Sequence, residues 1–166
     1  MKVAPLVLLM MGSDTDLPTM QEAADILSKF DVPYEMRISS AHRSPVRTLA
    51  LASEAADRGI KIIIAGAGMA AHLAGVVASK TILPVIGVPM PGGALNGVDA
   101  LYATVQMPAG IPVASMAIGK AGAKNAGLFA IQILALSEPD LAASLLRYRV
   151  EMDKDLEQKD ADLQLR

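Results

Sequence analysis

The stretch LVLLMMGSDTD, residues 6–16, decides the fold more than any other part of the sequence. Its first six residues are all apolar, and a continuous apolar run of this length is typical of a strand that a sheet buries on both faces. A polar turn follows, and Pro18 then suits the first turn of a helix. Apolar residues recur at helical spacing as far as Phe30. We therefore predict a strand over 6–11 and a helix over 18–30.

The same strand-to-helix pattern repeats along the chain. Alternating apolar and polar residues over 34–39 indicate a half-buried strand toward the sheet edge. Ser44 and Pro45 are typical of a helix start, and Gly59 suits the end of that helix. The further predicted elements are a helix over 45–58, strands over 60–65, 83–88 and 113–118, a small-residue helix before the second of these strands, and helices over 99–107 and 122–136. Alternation of this kind predicts an α/β fold, with helices on both faces of a five-stranded parallel sheet.

The end of the chain predicts a long helix over 138–160. Residues 137–140 suit its start. One side of the predicted helix is an apolar stripe, and the other sides are heavily charged from Glu151 onward. The apolar stripe consists of Leu141, Leu145, Tyr148, Met152 and Leu156. We expect this helix to serve oligomerisation, projecting onto a neighbouring subunit, and we predict a single domain over 1–166 whose core covers about 1–136.

The composition supports burial between subunits. Hydrophobic residues make up 52% of the 166 residues and charged residues only 19%, against ~25% charged in a typical soluble domain. The longest apolar stretch, residues 60–78, contains Lys61, His72 and several glycines, which does not suit a membrane span. We therefore expect subunit contacts to cover the apolar excess, and we predict no membrane partner.

Other function classes are excluded by what the chain lacks. A net charge of −2 and 3% aromatic residues provide neither a basic surface nor stacking platforms for nucleic acid. The absence of cysteine excludes disulfides, thiolate catalysis and cysteine-ligated metals. The start MKVAPLVLLMMGSD has no small-residue cleavage site before its acidic turn. We predict a cytoplasmic protein without nucleic-acid partners.

Three polar or glycine-rich turns follow the first three predicted strands. They cover residues 12–16, 40–43 and 66–72. Because the carboxyl ends of parallel strands lie at one edge of an open sheet, where ligands bind, we expect these turns to meet there.

The first two turns carry residues suited to an anionic substrate. Backbone N–H groups and the Ser13 hydroxyl can bind a phosphate at a helix start, while Asp16 can accept from sugar hydroxyls. Helix capping alone is an equally good interpretation of these residues. His42 can transfer a proton near neutral pH, and the Arg43 guanidinium can hold a phosphate. An ordinary loop histidine is the alternative for His42.

The third turn formally matches the dinucleotide-binding pattern G-x-G-x-x-A over 66–71. The match is weak because it lies on the third unit, and the stretch about 20 positions on, 84–88, has no acidic residue. Close approach of the backbone to a ligand or to another subunit explains its glycines better. His72, which we place in the early turn of the following helix, either contacts substrate or lies in a small-residue interface. Two histidines thirty positions apart do not form a metal site, so we predict none.

Blocks along nearly the whole chain resemble the N5-carboxyaminoimidazole ribonucleotide mutase family of purine biosynthesis. These blocks are MGSDTDLPTM, ISSAHRSP, IIIAGAGMAAHLAGVVASKT, LPVIGVP, LNGVDALYATVQMPAGIPVA and AIGKAGAKNAGLFAIQILAL. The resemblance implies a three-layer α/β/α flavodoxin-like fold, a homo-octamer and an enzyme that needs neither metal nor organic cofactor. It also implies a small ribonucleotide substrate and an ATP-dependent synthetase that supplies it.

The resemblance further implies roles for individual residues. Ser13 and Arg43 would hold the 5′-phosphate, Asp16 the ribose hydroxyls, and His42 would transfer the proton. The other substrate-binding residues would be Ser40, Gly68, Ala70 and His72, of which the last three line the pocket for the base and CO2.

Two residues of the third turn depart from the family pattern GAGGAAHLPG. Met69 replaces a glycine, so that position either has an ordinary φ or projects into a subunit contact, and Ala74 replaces a proline. The loop over 90–93 also differs from common forms, and we assign no ligands there. Two alternative functions stay open: direct carboxylation of aminoimidazole ribonucleotide by CO2, and a nucleotide-binding module without catalysis.

Overall fold

The computed structural model describes residues 4–165 of the chain. A five-stranded parallel sheet in the order β2-β1-β3-β4-β5 lies at its centre. The strands are β1 (Val7–Met11), β2 (Tyr34–Ile38), β3 (Ile62–Ala67), β4 (Val85–Pro89) and β5 (Ala114–Ser115). The predicted parallel sheet is confirmed, and β2 lies at its edge as predicted.

Three strands differ from their predicted bounds by two or more residues, among them β4, which begins at Val85 and not at residue 83. β3 begins two residues later than predicted, because the N–H of Ile60 donates to Ala55 and so belongs to the preceding turn. β5 pairs over only two residues instead of the predicted 113–118. Beyond its end, Met116 still donates to the carbonyl of Gly87, and the chain then turns at Gly119, whose φ is +78°.

Within residues 4–165, six α-helices accompany the sheet: α1 (Leu17–Lys29), α2 (Pro45–Ser53), α3 (Leu73–Ala78), α4 (Val98–Val105), α5 (Lys120–Ala135) and α6 (Pro139–Gln164). The prediction for α2 was too long, since it placed the end at Arg58. The chain leaves that helix at Ser53 and continues in turns, in which Arg58 donates to Glu54 and Gly59 to Ala56. Gly59 has a φ of +87°, so the glycine ends these turns and not the helix itself.

The described chain forms two compact units, which meet in sequence between Ala130 and Ile131. The first contains the whole sheet with α1 to α4 and most of α5. The second contains the end of α5 and the 26 residues of α6, in which no residue is buried. Within residues 4–165 we find no helix with the length and apolar composition for a membrane crossing.

The layers of the first unit follow from close contacts at glycines. A Cβ on Gly127 of α5 would lie 3.0 Å from the Ala23 carbonyl oxygen of α1, so these two helices pack together. A Cβ on Gly87 of β4 would meet Ala74 of α3 and Thr104 of α4. Gly66 of β3 pairs with Val88, so a Cβ on Gly66 points to the face opposite that of Gly87, and it would lie 2.6 Å from Sδ of Met20 on α1. The sheet therefore has helices on both faces, which confirms the predicted α/β layering.

The register brings three strand ends to one level. Met11 of β1 pairs with Ile38 of β2 and with Gly66 of β3. Every residue of β1 is buried, so this strand forms the centre of the core. The turns that follow β1, β2 and β3 consequently begin side by side at the carboxyl edge of the sheet.

Candidate active site

A cavity of about 550 Å³ lies at the carboxyl edge of the sheet, within the first unit. Turns after β1, β2 and β3 line it, together with the loop after β4. All eight site residues predicted from the sequence line this one cavity, namely Ser13, Asp16, Ser40, His42, Arg43, Gly68, Ala70 and His72. The prediction that the three turns meet is confirmed, whereas the roles of these residues stay predictions.

The turn after β1 is organised as a helix cap. Asp14–Asp16 forms a short 3-10 helix, and the Ser13 hydroxyl accepts a hydrogen bond from the N–H of Thr15 at 3.4 Å. The N–H of Ser13 donates in return to Oδ2 of Asp16 at 3.1 Å, which completes a capping box. Capping is therefore present, and the same two side chains also line the cavity. The two interpretations of this turn are compatible.

Partial burial raises the pKa of Asp16 above its ordinary value of 3.8. Hydrogen bonds from the backbone of Ser13 and Gly12, and the positive charge of Arg43, oppose this rise without cancelling it. Removal from water disfavours the charged carboxylate, and that is the dominant cause. The carboxyl group of Asp16 thus lies at the cavity wall, where its ionised form is less stable than it would be in water.

The turn after β2 directs His42 and Arg43 toward the cavity. The Ser40 hydroxyl accepts from the N–H of Arg43 at 3.2 Å, and the Ser40 carbonyl accepts from the N–H of Ser44 at 2.9 Å. Nη2 of Arg43 donates to the carbonyl of Gly12 at 2.7 Å, which joins this turn to the one after β1. The guanidinium therefore lies beside the helix start at Ser13, where an anion is favoured.

His42 and His72 contact each other directly. Nε2 of His42 lies 2.8 Å from Nδ1 of His72, and the two rings meet edge to face, with centroids 4.9 Å apart at 82°. Both side chains are exposed to the cavity. At this distance one of the two nitrogens carries the proton and the other accepts, so the tautomer of each ring depends on the tautomer of the other. His72 is the residue immediately before α3, one position ahead of the helix turn in which we predicted it.

The glycines after β3 serve close packing within the chain. A Cβ on Gly66 would clash with the methyl group of Met90 and lie 2.6 Å from Sδ of Met20. A Cβ on Gly68 would lie 3.3 Å from Cβ of Met90. Our prediction that a ligand or another subunit explains these glycines was therefore wrong for Gly66, because the close neighbours are methionine side chains of the same chain.

A sequence model of the family described as AIR carboxylase matches residues 6–155. The chain belongs to the AIR carboxylase family. The matched residues include all those that line the cavity.

Relatives of this AIR carboxylase family member are highly similar over almost its full length. A protein of Pyrococcus horikoshii named N5-carboxyaminoimidazole ribonucleotide mutase is 56% identical over 155 residues, which cover 93% of this chain and 86% of that one. A protein of the same name from Bacillus subtilis is 57% identical over 141 residues, which cover 85% of this chain and 87% of that one. The crystal structure of Treponema denticola PurE is similar with a TM-score of 0.85 and 31% identity, covering 96% of this chain and 98% of that one.

Sequence reasoning missed one wall of the cavity in this family member. Residues Met90–Gly93, to which we assigned no ligands, line the cavity beside the third turn. Their position follows from the N–H of Met90, which donates to the carbonyl of Ala67 at 2.9 Å. The available signal was topological, since this glycine-rich loop follows β4 at the same sheet edge as the other turns.

Met69 also departs from one of our two predictions for it. Its φ is +51°, in the left-handed region that favours glycine. An ordinary φ at this position is therefore wrong. As for metals, no group of three or more histidine, aspartate or glutamate side chains within residues 4–165 is arranged to bind one.

Proposed function

We propose that this chain is an N5-carboxyaminoimidazole ribonucleotide mutase of purine biosynthesis. Such an enzyme moves a carboxylate from the exocyclic nitrogen of an aminoimidazole ribonucleotide to a carbon of its ring, giving 4-carboxy-5-aminoimidazole ribonucleotide. The relatives named as mutases support the reaction. The observation that carries the proposal is the His42–His72 contact, in one cavity with Arg43 and the helix start at Ser13.

The phosphate of the substrate is assigned to the Ser13 and Arg43 corner of the cavity. The Ser13 hydroxyl lines that corner at the helix start, and the guanidinium of Arg43 adds a full positive charge. Asp16 is assigned to the ribose hydroxyls, because a carboxylate accepts hydrogen bonds from a diol. Ser40, which shapes the second turn, is assigned to the same substrate-binding set.

The base then extends toward His42 and His72, past Gly68 and Ala70. We assign the proton transfers to His42. In the first step the bond between the exocyclic nitrogen and the carboxylate breaks, CO2 forms, and the nitrogen takes a proton from the His42 imidazolium. In the second step the ring carbon attacks CO2, and His42 then removes the proton from that carbon. The proton moves from carbon to nitrogen overall, and no oxidant or reductant is needed.

His72 is assigned a supporting part in these transfers. Its Nδ1 engages Nε2 of His42, so it orients the His42 ring and fixes which nitrogen carries the proton. Its place before α3, next to Gly68 and Ala70, also makes it part of the wall around the base and CO2.

A second candidate is direct carboxylation of aminoimidazole ribonucleotide by CO2. The family description, AIR carboxylase, favours it. The deciding experiment supplies the enzyme either with N5-carboxyaminoimidazole ribonucleotide or with aminoimidazole ribonucleotide plus bicarbonate, after dialysis against EDTA. The mutase proposal expects rapid product formation only from the first substrate, without added metal or cofactor. Rapid turnover of the second pair would support the direct carboxylase, and binding without turnover of either would support a non-catalytic nucleotide-binding module.

We also propose that the chain is a single functional domain that assembles as a homo-octamer in the cytoplasm. Support comes from apolar side chains that are exposed in the single chain, among them Val46, Ile82 and Tyr102 of the first unit and Leu146 and Leu156 of α6. Sedimentation velocity of the full chain tests the assembly. An ATP-dependent synthetase is the expected source of the N-carboxylated substrate, because a carbamate of this kind needs an activated carboxyl group.

A further inference from the structure

Met69 has a backbone conformation that its residue type disfavours. Its φ of +51° is left-handed, and an L residue with a side chain adopts this region at a cost that glycine does not bear. The side chain is 62% exposed, so core burial does not explain it. We therefore expect a contact of the Met69 side chain to explain why a strained residue lies beside the cavity.

The side chain of Met69 packs on Gly93, and both residues line the cavity. Cγ and Sδ of Met69 lie 3.2 and 3.6 Å from the point that a Cβ on Gly93 would occupy. Gly93 itself has a φ of +64° and Gly92 a φ of +134°. The tip of the loop over 90–93, here called the Gly92 loop, thus has a shape suited to glycine and offers a bare backbone to the methionine.

Met69 is also linked to the histidine pair through the backbone of its own turn. Its carbonyl accepts from the N–H of Ala71 at 2.8 Å, and the carbonyl of Ala70 accepts from the N–H of His72 at 2.8 Å. The base of the Gly92 loop is held by the bond from Met90 to Ala67. Met69 therefore joins the two cavity walls at the end remote from that bond.

We infer that Met69 is a positioning residue that holds the Gly92 loop against the third turn and so keeps these two cavity walls together during carboxyl transfer. This inference rests on the proposed mutase function. CO2 is small and uncharged once it has left the nitrogen, so no ion pair retains it, and its fate depends on whether the walls stay together until the ring carbon attacks. Loss of the contact opens a route for escape, whereas the proton transfers at His42 keep their chemistry.

Three substitutions separate the side-chain contact from the backbone strain. Met69→Gly removes both, Met69→Ala removes the contact and keeps the strained φ, and Met69→Leu keeps an apolar side chain of similar size. Lys80→Ala is the control, because Lys80 is an exposed residue between α3 and β4, before the amino end of β4 and so at the sheet edge opposite the cavity.

The first measurement is the exchange of CO2 with solution. The full-length enzyme converts unlabelled N5-carboxyaminoimidazole ribonucleotide in 13C-bicarbonate, with carbonic anhydrase present, and mass spectrometry gives the labelled fraction of the product. We expect Met69→Gly and Met69→Ala to raise that fraction by about fivefold, the change that one lost apolar contact gives. Met69→Leu and Lys80→Ala are expected to match the wild type. An unchanged fraction in the Gly and Ala variants, or a rise in Gly alone, would overturn the inference.

The second measurement does not depend on activity. Amide hydrogen exchange over 90–96 is expected to be faster in Met69→Gly and Met69→Ala than in the wild type and Met69→Leu. Equal exchange in all four proteins would overturn the inference whatever the activity. If the wild type transfers no carboxyl group, the proposed function fails, and the exchange rates alone then decide whether Met69 holds the Gly92 loop.

Discussion

Nε2 of His42 lies 2.8 Å from Nδ1 of His72, although thirty residues separate the two in sequence. Because β1 lies between β2 and β3 in the sheet, the turns after β2 and β3 meet over the end of β1. The contact ties the tautomer of one ring to the tautomer of the other. It is the feature of the cavity most suited to a reaction that moves a proton along with a carboxyl group.

Replacing His72 by Asn is expected to lower kcat while leaving the fold intact. A hydrogen bond of this kind contributes on the order of 1 kcal/mol, so we expect a loss of about threefold to tenfold. His72 is exposed, so the melting temperature should stay within error of the wild type. Steady-state kinetics and thermal unfolding of the same preparation test this. A wild-type kcat would mean that His72 has no part in orienting His42.

Replacing Arg43 by Ala is expected to weaken substrate binding more than the chemical step. A hydrogen bond to a charged group contributes about 1.5–3 kcal/mol, which predicts a rise in KM of about tenfold to a hundredfold. Arg47→Ala is the matched control, since Arg47 is an exposed arginine on α2 that does not line the cavity. Equal KM values for the two variants would argue against the phosphate assignment.

Replacing Asp16 by Asn is expected to stabilise the unliganded protein at neutral pH. Burial raises the pKa of Asp16, so the charged form is less favourable in the folded chain than in the unfolded one. The folded wild type therefore favours the protonated form of Asp16. The stability that this form contributes is fully present below pH 3.8 and is lost as the pH rises through the higher pKa of Asp16 in the folded chain. Melting temperatures of both proteins from pH 4 to pH 8 test this. We expect the advantage of Asp16→Asn to grow with pH, and a constant difference would contradict the assignment.

Replacing Gly122 by Ala is expected to destabilise the protein strongly. The new methyl group would clash with the Ala117 carbonyl oxygen and lie 2.6 Å from its carbon, and backbone of this kind cannot move aside as a side chain can. Overpacking typically costs about 1–3 kcal/mol, and this contact falls at or above the upper end.

Gly110→Ala is the control for the stability that Gly122→Ala is expected to lose. Nothing lies within 4 Å of a Cβ there, so its cost comes from the φ of +98° alone, and this is of order 1 kcal/mol. Urea unfolding of both variants measures the difference. A smaller loss for Gly122→Ala than for Gly110→Ala would contradict the packing described here.

The sheet and most of the site were predictable from sequence for a simple physical reason. Continuous apolar runs indicate buried parallel strands, and parallel strands place their following turns at one edge, so Ser13, His42 and Gly68 had to lie near one another. What local pattern could not supply was long-range packing. The early end of α2, the two-residue length of β5 and the left-handed φ of Met69 each depend on neighbours distant in sequence.

The same limit explains the missed Gly92 loop. Glycine and proline carry no functional group, so a search for chemistry along the sequence passes over residues 90–93. Their part in the cavity comes from backbone shape and from the contact with Met69. The assignment of roles within the cavity also remains a prediction, because residue types and distances identify which groups meet without identifying the atoms that react.

The central claim is that His42 moves the reacting proton, and His42→Asn tests it most directly. Asparagine keeps a polar side chain but cannot exchange a proton near neutral pH. Steady-state kinetics with N5-carboxyaminoimidazole ribonucleotide should show kcat reduced by about 10²- to 10⁴-fold, with the substrate still bound at a Kd close to that of the wild type. A kcat like that of the wild type in this variant would contradict the account.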